Sequence, residues 1–189
     1  MTELDSKPGL DGVIAAAKQA PGRGLPPVHL WNPAHSGEID IVIKADGRWV
    51  HEGATISLVR LFSTVLRKDP DGYWLVTPVE KMKITVEDAP FIATALDAGA
   101  DAEGRPALCF TTNVGDEVEA GPDHPIRVEI DPTTDEPRPY LHVRRGLEAL
   151  ISRPVFYELV EMAAERGGTL GVESGGTWFP IGPAEAPVS

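Results

Sequence analysis

Apolar side chains recur along this chain with two different periods, and each period predicts a different element. Apolar and polar residues alternate over residues 82–86, as is typical of a strand with one buried face. Apolar residues cover most of the circumference of a helix predicted over residues 55–67, so this helix should be largely buried. A second long helix is predicted over residues 152–166 before a glycine pair, and a short one over residues 10–19.

One hairpin pattern occurs twice. Residues 43–53, IKADGRWVHEG, are matched by residues 172–182, VESGGTWFPIG, with glycine and tryptophan at corresponding places. Each copy contains a pair of turn residues, Asp46-Gly47 or Gly175-Gly176, followed by a tryptophan two residues after the second glycine. Such pairs supply the positive φ angles of a tight β-hairpin, so both segments are predicted to be hairpins with two-residue turns.

The predicted turns fix which face each tryptophan occupies. Counting residues outward from the two-residue turn of the first hairpin sets Lys44 opposite Trp49. This pairing places Trp49 on the same face as His51 and away from the isoleucines of the preceding strand. In the second hairpin the same count sets Glu173 opposite Trp178, away from its more aliphatic face. Either each indole packs under a helix or a neighbouring domain, or the two faces border a cleft and stack on a flat ligand.

A loop rich in turn-forming and charged residues, AGADAEGRP at residues 98–106, is the predicted boundary between two halves. The halves are an N-terminal domain of residues 1–100 and a C-terminal domain of residues 101–189. A chain of 189 residues with 42% hydrophobic residues can bury a core, and its length suits either one domain or two small ones.

The charge of the chain is strongly negative and unevenly distributed. The formal net charge is −12, and residues 101–136 carry ten acidic residues against two arginines. This surface repels polyanions, so binding to DNA or RNA is not expected. The single cysteine, Cys109, fits a reducing cytoplasm, and no segment approaches the length of a membrane span. We therefore expect a cytoplasmic protein that does not associate with a membrane.

Motifs for cofactors, metals and nucleophilic catalysis are missing from the sequence. The glycines near Arg23 are followed by prolines rather than a helix, which excludes a dinucleotide fingerprint, and no phosphate loop or nucleophile elbow occurs. Carboxylates at Glu158, Glu161 and Glu165 are interpreted as a solvated helix face, so no metal and no cofactor are expected.

His51 is the candidate for proton transfer, because it shares the face of Trp49 and precedes Glu52. The count directs Glu52 into the apolar face, where a carboxylate needs a partner. Arg60 on the following helix or Arg48 across the strand could be that partner. A Glu52–Arg60 ion pair that joins hairpin to helix is one interpretation, and acid–base catalysis is the other.

The order of several blocks gives the chain a resemblance to a known family. These blocks are GEIDIVIKADGRWVHEG, LVRLFSTVL, LVTPVEK, ITVEDAPF, FTTNVGDEV, HPI, PYLHVRRGLEALISRPVFYELV and GGTWFPIG. Together they resemble the bacterial domain-of-unknown-function family 1285 over residues 27–182. The resemblance implies an α+β fold of two small domains built on a duplicated hairpin-plus-helix motif, the C-terminal one loosely similar to pleckstrin-homology domains. It also implies a site for a nucleotide-like ligand between the domains, lined by the blocks WVHEG, EK, TN and VRR, and a role in signalling.

The leading hypothesis is a ligand-binding or sensory protein without catalytic residues that takes a small anionic ligand. The candidate ligand-binding residues are Trp49, His51, Arg60, Lys81, Asn113, Arg144, Arg145 and Trp178. One alternative is a hydrolase that uses His51 as acid or base. Another is an adaptor whose acidic 101–136 segment meets the basic surface of a protein partner.

Overall fold

A computed structural model describes residues 10–18 and 24–184 of the chain. Strands account for 50% of the described residues and helices for 15%, which confirms the α+β class. The chain divides into two compact units, Met1–Asp88 (unit 1) and Ala89–Ser189 (unit 2). None of the helices in the described ranges combines the length and the apolar character needed to cross a membrane.

The described residues of unit 1 form two short helices, one 3₁₀ turn and six strands. In chain order these are α1 Leu10–Lys18, the 3₁₀ turn Val28–Leu30, β1 His35–Ile43, β2 Trp49–His51, β3 Ala54–Thr55, α2 Val59–Ser63, β4 Leu66–Asp69, β5 Gly72–Val76 and β6 Glu80–Val86.

Unit 2 contains nine strands and one helix in its described part. In chain order these are β7 Phe91–Ala100, β8 Pro106–Thr112, β9 Glu117–Glu119, β10 Ile126–Ile130, β11 Pro137–Arg144, β12 Leu147–Ile151, α3 Arg153–Met162, β13 Ala164–Arg166, β14 Thr169–Ser174 and β15 Thr177–Pro183.

The two units share one sheet topology. The strand orders are β3-β2-β1-β6-β5-β4 in unit 1 and β10-β11-β12-β7-β8-β9 in unit 2. Each sheet therefore consists of two antiparallel three-stranded meanders, and its first and last strands pair in parallel at the centre, β1 with β6 and β7 with β12. Unit 2 adds a three-stranded sheet, β13-β14-β15. The repeated hairpin pattern lies in β1–β2 and β14–β15, whereas the strands that correspond by topology are β1–β2 and β7–β8.

The first hairpin has a different register from the predicted one. The amide of Gly47 donates to the carbonyl of Lys44 at 2.9 Å, and the amide of Lys44 donates to the carbonyl of Arg48 at 2.8 Å, so the loop has three residues. The Asp46 carboxylate accepts from the amide and from Nε of Arg48 and stabilises this loop. Ile43 therefore lies opposite Trp49. A slip of one residue moves every side chain to the other face, so the prediction that Trp49 lies away from the isoleucines is wrong.

The second hairpin has the predicted register from its turn to Gly171, and a bulge beyond it sets Leu170 opposite Gly182. Gly175 and Gly176 have φ angles of 57° and 75°, and Glu173 lies opposite Trp178. Val172 and Phe179 are buried on the opposite face of this hairpin. Two glycines tolerate positive φ without strain, which favours the two-residue turn in this copy.

The predicted helix over residues 55–67 is wrong in length. Only Val59–Ser63 forms α2, and the hydroxyls of Ser63 and Thr64 donate to carbonyls within that turn. From Leu66 the chain continues as β4 and pairs with β5. Arg60 is exposed at this short helix, so it does not need a buried partner.

Two further boundaries differ from the predictions. Residues 101–105 join β7 to β8 within one sheet, whereas the division between the units falls after Asp88. The second long helix ends at Met162, because the next residues form β13 and the glycine pair forms the turn into β14. Glu165 therefore lies on a strand and not on a helix face shared with Glu158.

Candidate functional site

Trp49 is enclosed in the core of unit 1. Its side chain is 0% exposed, and its ring lies 6.4 Å from the ring of Phe62 at an interplanar angle of 17°. The indole N–H has no hydrogen-bond partner among the described residues. Trp49 thus offers no surface to a ligand, contrary to the sequence-based hypothesis, because the three-residue loop turns it towards the core.

His51 and its neighbour do not form an acid–base pair. Nδ1 of His51 donates to the carbonyl of Asp40 at 2.9 Å, which fixes the ring to the adjacent strand. Glu52 is exposed in a turn with a φ angle of 48°, so it does not enter the apolar face. In the described part of the chain Glu52 and Arg60 form no ion pair, so the predicted link between hairpin and helix is absent.

Lys81 belongs to a group of charged side chains around a third tryptophan, which we call the Trp74 cluster. Its members are Arg67, Asp69, Asp71, Trp74, Lys81 and Lys83, and the indole N–H of Trp74 donates to the Asp71 carboxylate at 3.1 Å. Register places Arg67, Trp74 and Lys83 in one row across β4, β5 and β6, and Lys81 lies on the same face two residues earlier. The ammonium nitrogens of Lys81 and Lys83 lie 4.2 Å and 5.6 Å from the centre of the Trp74 ring. Trp74 is 7% exposed beneath them.

Arg67 and Asp69 form the fixed part of the Trp74 cluster. Nε and Nη2 of Arg67 donate to the two carboxylate oxygens of Asp69 at 2.7 Å and 2.8 Å. Nη1 of Arg67 donates to the carbonyls of Val28 and Trp31 at 3.0 Å and 2.7 Å. These bonds to Arg67 lower the pKa of Asp69 below its usual range, with a smaller contribution from Lys81. Arg67 therefore anchors the segment around residues 28–31 and is not available to a ligand.

Lys81 and Lys83 are held by fewer hydrogen bonds than Arg67 is. Nζ of Lys81 lies 3.4 Å from Asp69, which Arg67 already binds with two hydrogen bonds. Lys83 has no carboxylate within ion-pair distance among the described residues. Two ammonium groups at one indole repel each other, so an anion placed between them would be stabilised. On the other face of the same sheet Lys68 lies over Tyr73, 5.6 Å from its ring centre.

The candidates Asn113, Arg144 and Arg145 in unit 2 occupy structural positions. Oδ1 of Asn113 accepts from the backbone N–H of Ile92 at 3.0 Å, and the backbone N–H of Asn113 donates to the Ile92 carbonyl at 2.8 Å. Nη1 of Arg144 donates to Asp116 at 2.7 Å. Arg145 is exposed in the turn between β11 and β12 with a φ angle of 45°.

Trp178 borders a cleft in unit 2, which we call the Trp178 cleft. The cleft has a volume of about 290 Å³. It is lined by Ala98, Gly99, Pro106, Ala107, Leu108, Met162, Ala164, Arg166, Gly171, Val172, Glu173 and Trp178. The cleft lies at the far end of the β7–β8 hairpin from Asn113, so Trp178 and Asn113 do not share a site.

The Trp178 ring lies flat between a glycine and an arginine. A Cβ atom on Gly171 would lie 2.3 Å from Cζ2 of Trp178, so only glycine allows the ring to lie against this strand. Cζ of Arg166 lies 4.1 Å from the ring centre, and Nη2 donates to Glu173 at 2.8 Å. Sequence reasoning missed Arg166, because its contact with Trp178 depends on the pairing of β13 with β14.

A second cleft of about 310 Å³ lies beside the start of α3. Its two arginines are already engaged, Arg138 by Asp131 at 3.3 Å and Arg153 by Glu136 at 3.2 Å. Across the described residues no group of three or more His, Cys, Asp or Glu side chains is arranged to hold a metal ion.

Two α+β units that repeat one six-stranded topology define the class of this protein. Family models for DUF1285 match it twice, the N-terminal domain over residues 26–89 and the C-terminal domain over residues 90–181. The chain belongs to the DUF1285 family, whose members are described as proteins of unknown function.

Two crystal structures of DUF1285 family proteins are similar to this chain. The protein from Silicibacter pomeroyi DSS-3 is 45% identical, with a TM-score of 0.83 over 93% of this chain and 97% of that one. The protein from Shewanella baltica OS155 is 27% identical, with a TM-score of 0.50 over 64% of this chain and 90% of that one. A search of curated proteins gave no match.

Proposed function

We propose that the protein is a non-enzymatic ligand-binding protein and that its Trp74 cluster recognises a small phosphate-bearing anion. The observation that carries this proposal is the approach of two lysines, Lys81 and Lys83, to one indole. The carboxylate that reaches Lys81 is Asp69, which Arg67 already binds with two hydrogen bonds. The site therefore has positive charge to offer an incoming anion.

The distribution of charge directs an anion to unit 1. Unit 1 carries ten basic and twelve acidic residues, whereas unit 2 carries seven basic and seventeen acidic residues. Long-range repulsion keeps anions away from an acidic surface. A compact, multiply charged group such as a phosphate fits the lysines well, since each ammonium acts as a point charge with rotatable donors.

The phosphate rather than a base is the part recognised in this proposal. Trp74 is 7% exposed beneath the two lysines, so a base cannot stack on it unless both side chains move away. A nucleotide and a simple diphosphate should therefore bind with similar affinity. A sensory role in the cytoplasm, and the likeness of the C-terminal half to pleckstrin-homology domains, remain further parts of the proposal.

Calorimetric titration with pyrophosphate, AMP and ATP tests the proposal. We expect saturable binding that weakens as salt rises, and a loss of ~5-fold in affinity for each of Lys81→Gln and Lys83→Gln, about the contribution of one charge-assisted contact. Lys68→Gln is the matched control, because it makes the same change in charge on the other face of the same sheet. It should change the affinity by less than ~2-fold, as screened surface charges do.

Two results would overturn the proposal. One is the absence of saturable binding by any of the three phosphates. The other is an equal loss of affinity in Lys68→Gln and Lys83→Gln, which would show a response to net charge and not to the Trp74 cluster.

A further inference from the structure

Unit 2 binds a planar cation of its own at Trp178. The guanidinium of Arg166 stacks 4.1 Å from the centre of the indole and donates to Glu173 at 2.8 Å. An aromatic face together with a carboxylate is a common arrangement for binding guanidinium groups, because the ring quadrupole and the carboxylate both attract positive charge. Trp178 and Glu173 are cross-strand partners, so β14 and β15 hold them side by side.

Space for a larger group lies next to this contact. The Trp178 cleft has a volume of about 290 Å³, and most of its lining is small or apolar. Ala98, Gly99, Ala107 and Ala164 leave the cavity open, and Met162 adds a flexible apolar wall. Clefts with an apolar lining and a few polar groups are typical of small-molecule sites.

The electrostatics of the cleft favour a cation over an anion. Unit 2 carries seventeen acidic residues against seven basic ones. Arg105 lies against Gly176 in the neighbouring turn, but it is bound by Asp101 at 2.8 Å and by Glu103 at 3.3 Å. An anion in the cleft would therefore meet one cation, Arg166, which Glu173 already neutralises.

Arg166 is held weakly enough to be displaced. Its side chain is 56% exposed and that of Glu173 is 37% exposed, and exposed ion pairs contribute little to stability. Arg166 ends β13, a three-residue edge strand whose residues are all exposed. Moving this side chain into solvent would free one face of the indole while Glu173 stays in place.

We propose that Trp178 and Glu173 form a binding site for a small planar organic cation, a guanidinium or amidinium group attached to an aromatic ring. The cationic head displaces Arg166 from the indole and pairs with Glu173, and the ring of the ligand enters the Trp178 cleft. In the free protein Arg166 occupies the site in place of the ligand. This site lies in unit 2 and binds a cation, so it is distinct from the anion site proposed at the Trp74 cluster in unit 1.

Phenylguanidine and its neutral isostere phenylurea are suitable probes. Binding is followed by the indole N–H signals in ¹H–¹⁵N NMR spectra, with the Trp178 signal assigned from Trp178→Phe. We expect phenylguanidine to shift the Trp178 signal saturably and to bind ~5- to 10-fold more tightly than phenylurea, as one cation–π contact with a paired charge would give.

Two variants give opposite expectations. Arg166→Gln removes the competing guanidinium and should tighten phenylguanidine binding ~3- to 10-fold, because the site no longer has to be vacated. Glu173→Gln removes the carboxylate and should weaken binding ~5-fold. Arg105→Gln is the control, since it makes the same change in net charge within unit 2 and should alter the affinity by less than ~2-fold. Overlaid spectra of the variants outside the cleft verify that they remain folded.

Several results would overturn the inference. They are equal affinities for phenylguanidine and phenylurea, weaker binding by Arg166→Gln, or equal tightening by Arg166→Gln and Arg105→Gln. The anion site at the Trp74 cluster is tested with different ligands and with the lysine variants of unit 1. A negative result for one of the two sites therefore does not contradict the proposal for the other.

Discussion

Replacing Gly171 by alanine should destabilise unit 2, although it adds a single methyl group. The new Cβ would lie 2.3 Å and 2.5 Å from Cζ2 and Cε2 of Trp178 and 2.7 Å from the carbonyl oxygen of Phe179. The ring can swing outward, but it then loses its packing and its contact with Arg166. The backbone oxygen cannot move without disturbing the pairing of β14 with β15. Overpacking of this kind costs ~1–3 kcal/mol, and we expect ~3 kcal/mol here because a backbone atom is involved.

Urea unfolding followed by the Trp178 indole N–H signal measures this loss in unit 2 itself, which matters because two units need not unfold together. Gly182→Ala is the matched control, since a Cβ on Gly182 meets nothing within 4 Å. It should leave stability unchanged or raise it by up to ~1 kcal/mol, through the lower entropy of the unfolded chain.

A double variant separates the two sources of strain. In Gly171→Ala with Trp178→Leu the ring atoms are gone, so the cost of the alanine should fall but stay above zero because the Phe179 oxygen remains. The reasoning is refuted if Gly171→Ala alone is within ~0.5 kcal/mol of the parent, the spread of an ordinary surface substitution.

Two further predictions concern unit 1. Trp49→Ala should lower the free energy of unfolding in urea by ~3–5 kcal/mol, because Trp49 is fully buried. In a variant that retains only Trp49, with the other three tryptophans replaced by Phe, acrylamide should quench the fluorescence far less than in a variant that retains only Trp178. Equal quenching in the two variants would contradict the burial of Trp49. The lowered pKa of Asp69, caused chiefly by Arg67, means that its bonds stabilise the fold above the unfolded value of 3.8 and are lost as the pH falls below it. Asp69→Asn should therefore be ~2 kcal/mol less stable than the parent at pH 7, and this difference should shrink as the pH falls below 3.8. A difference that stays constant with pH would contradict this assignment.

Sequence reasoning worked for the fold wherever the deciding interactions are local. Gly175 and Gly176 both accept positive φ, so the turn and the faces of the second hairpin followed directly. Asp46-Gly47 is compatible with a two-residue or a three-residue loop. The hydrogen bonds from Arg48 to the Asp46 carboxylate stabilise the three-residue loop. A difference of one residue was enough to reverse the predicted environment of Trp49.

Predictions from the sequence were wrong or incomplete where the structure depends on pairing between strands that are distant along the chain. Apolar residues on all sides are equally consistent with a buried helix and with a short helix followed by a buried strand, and it is the pairing of Leu66 with Leu75 that decides. Lys81 could be predicted as a ligand-binding residue from its charge alone. The contact of Lys83 with Trp74 could not be predicted, because it depends on the register of β5 and β6 across the turn at residues 77–80.

The central parallel pair of each sheet has a consequence for the order in which the protein folds. In unit 1 His35 pairs with Glu80, and in unit 2 Phe91 pairs with Ala149, so the strands that close each sheet are the first and the last to be synthesised. The antiparallel meanders can form early from neighbouring segments, whereas closing a long loop between parallel strands is slow. Until β6 or β12 has emerged, each half-sheet presents an unpaired edge strand to other chains. Nascent chains should thus be most vulnerable to aggregation just before the last strand of each six-stranded sheet, β6 or β12, is synthesised.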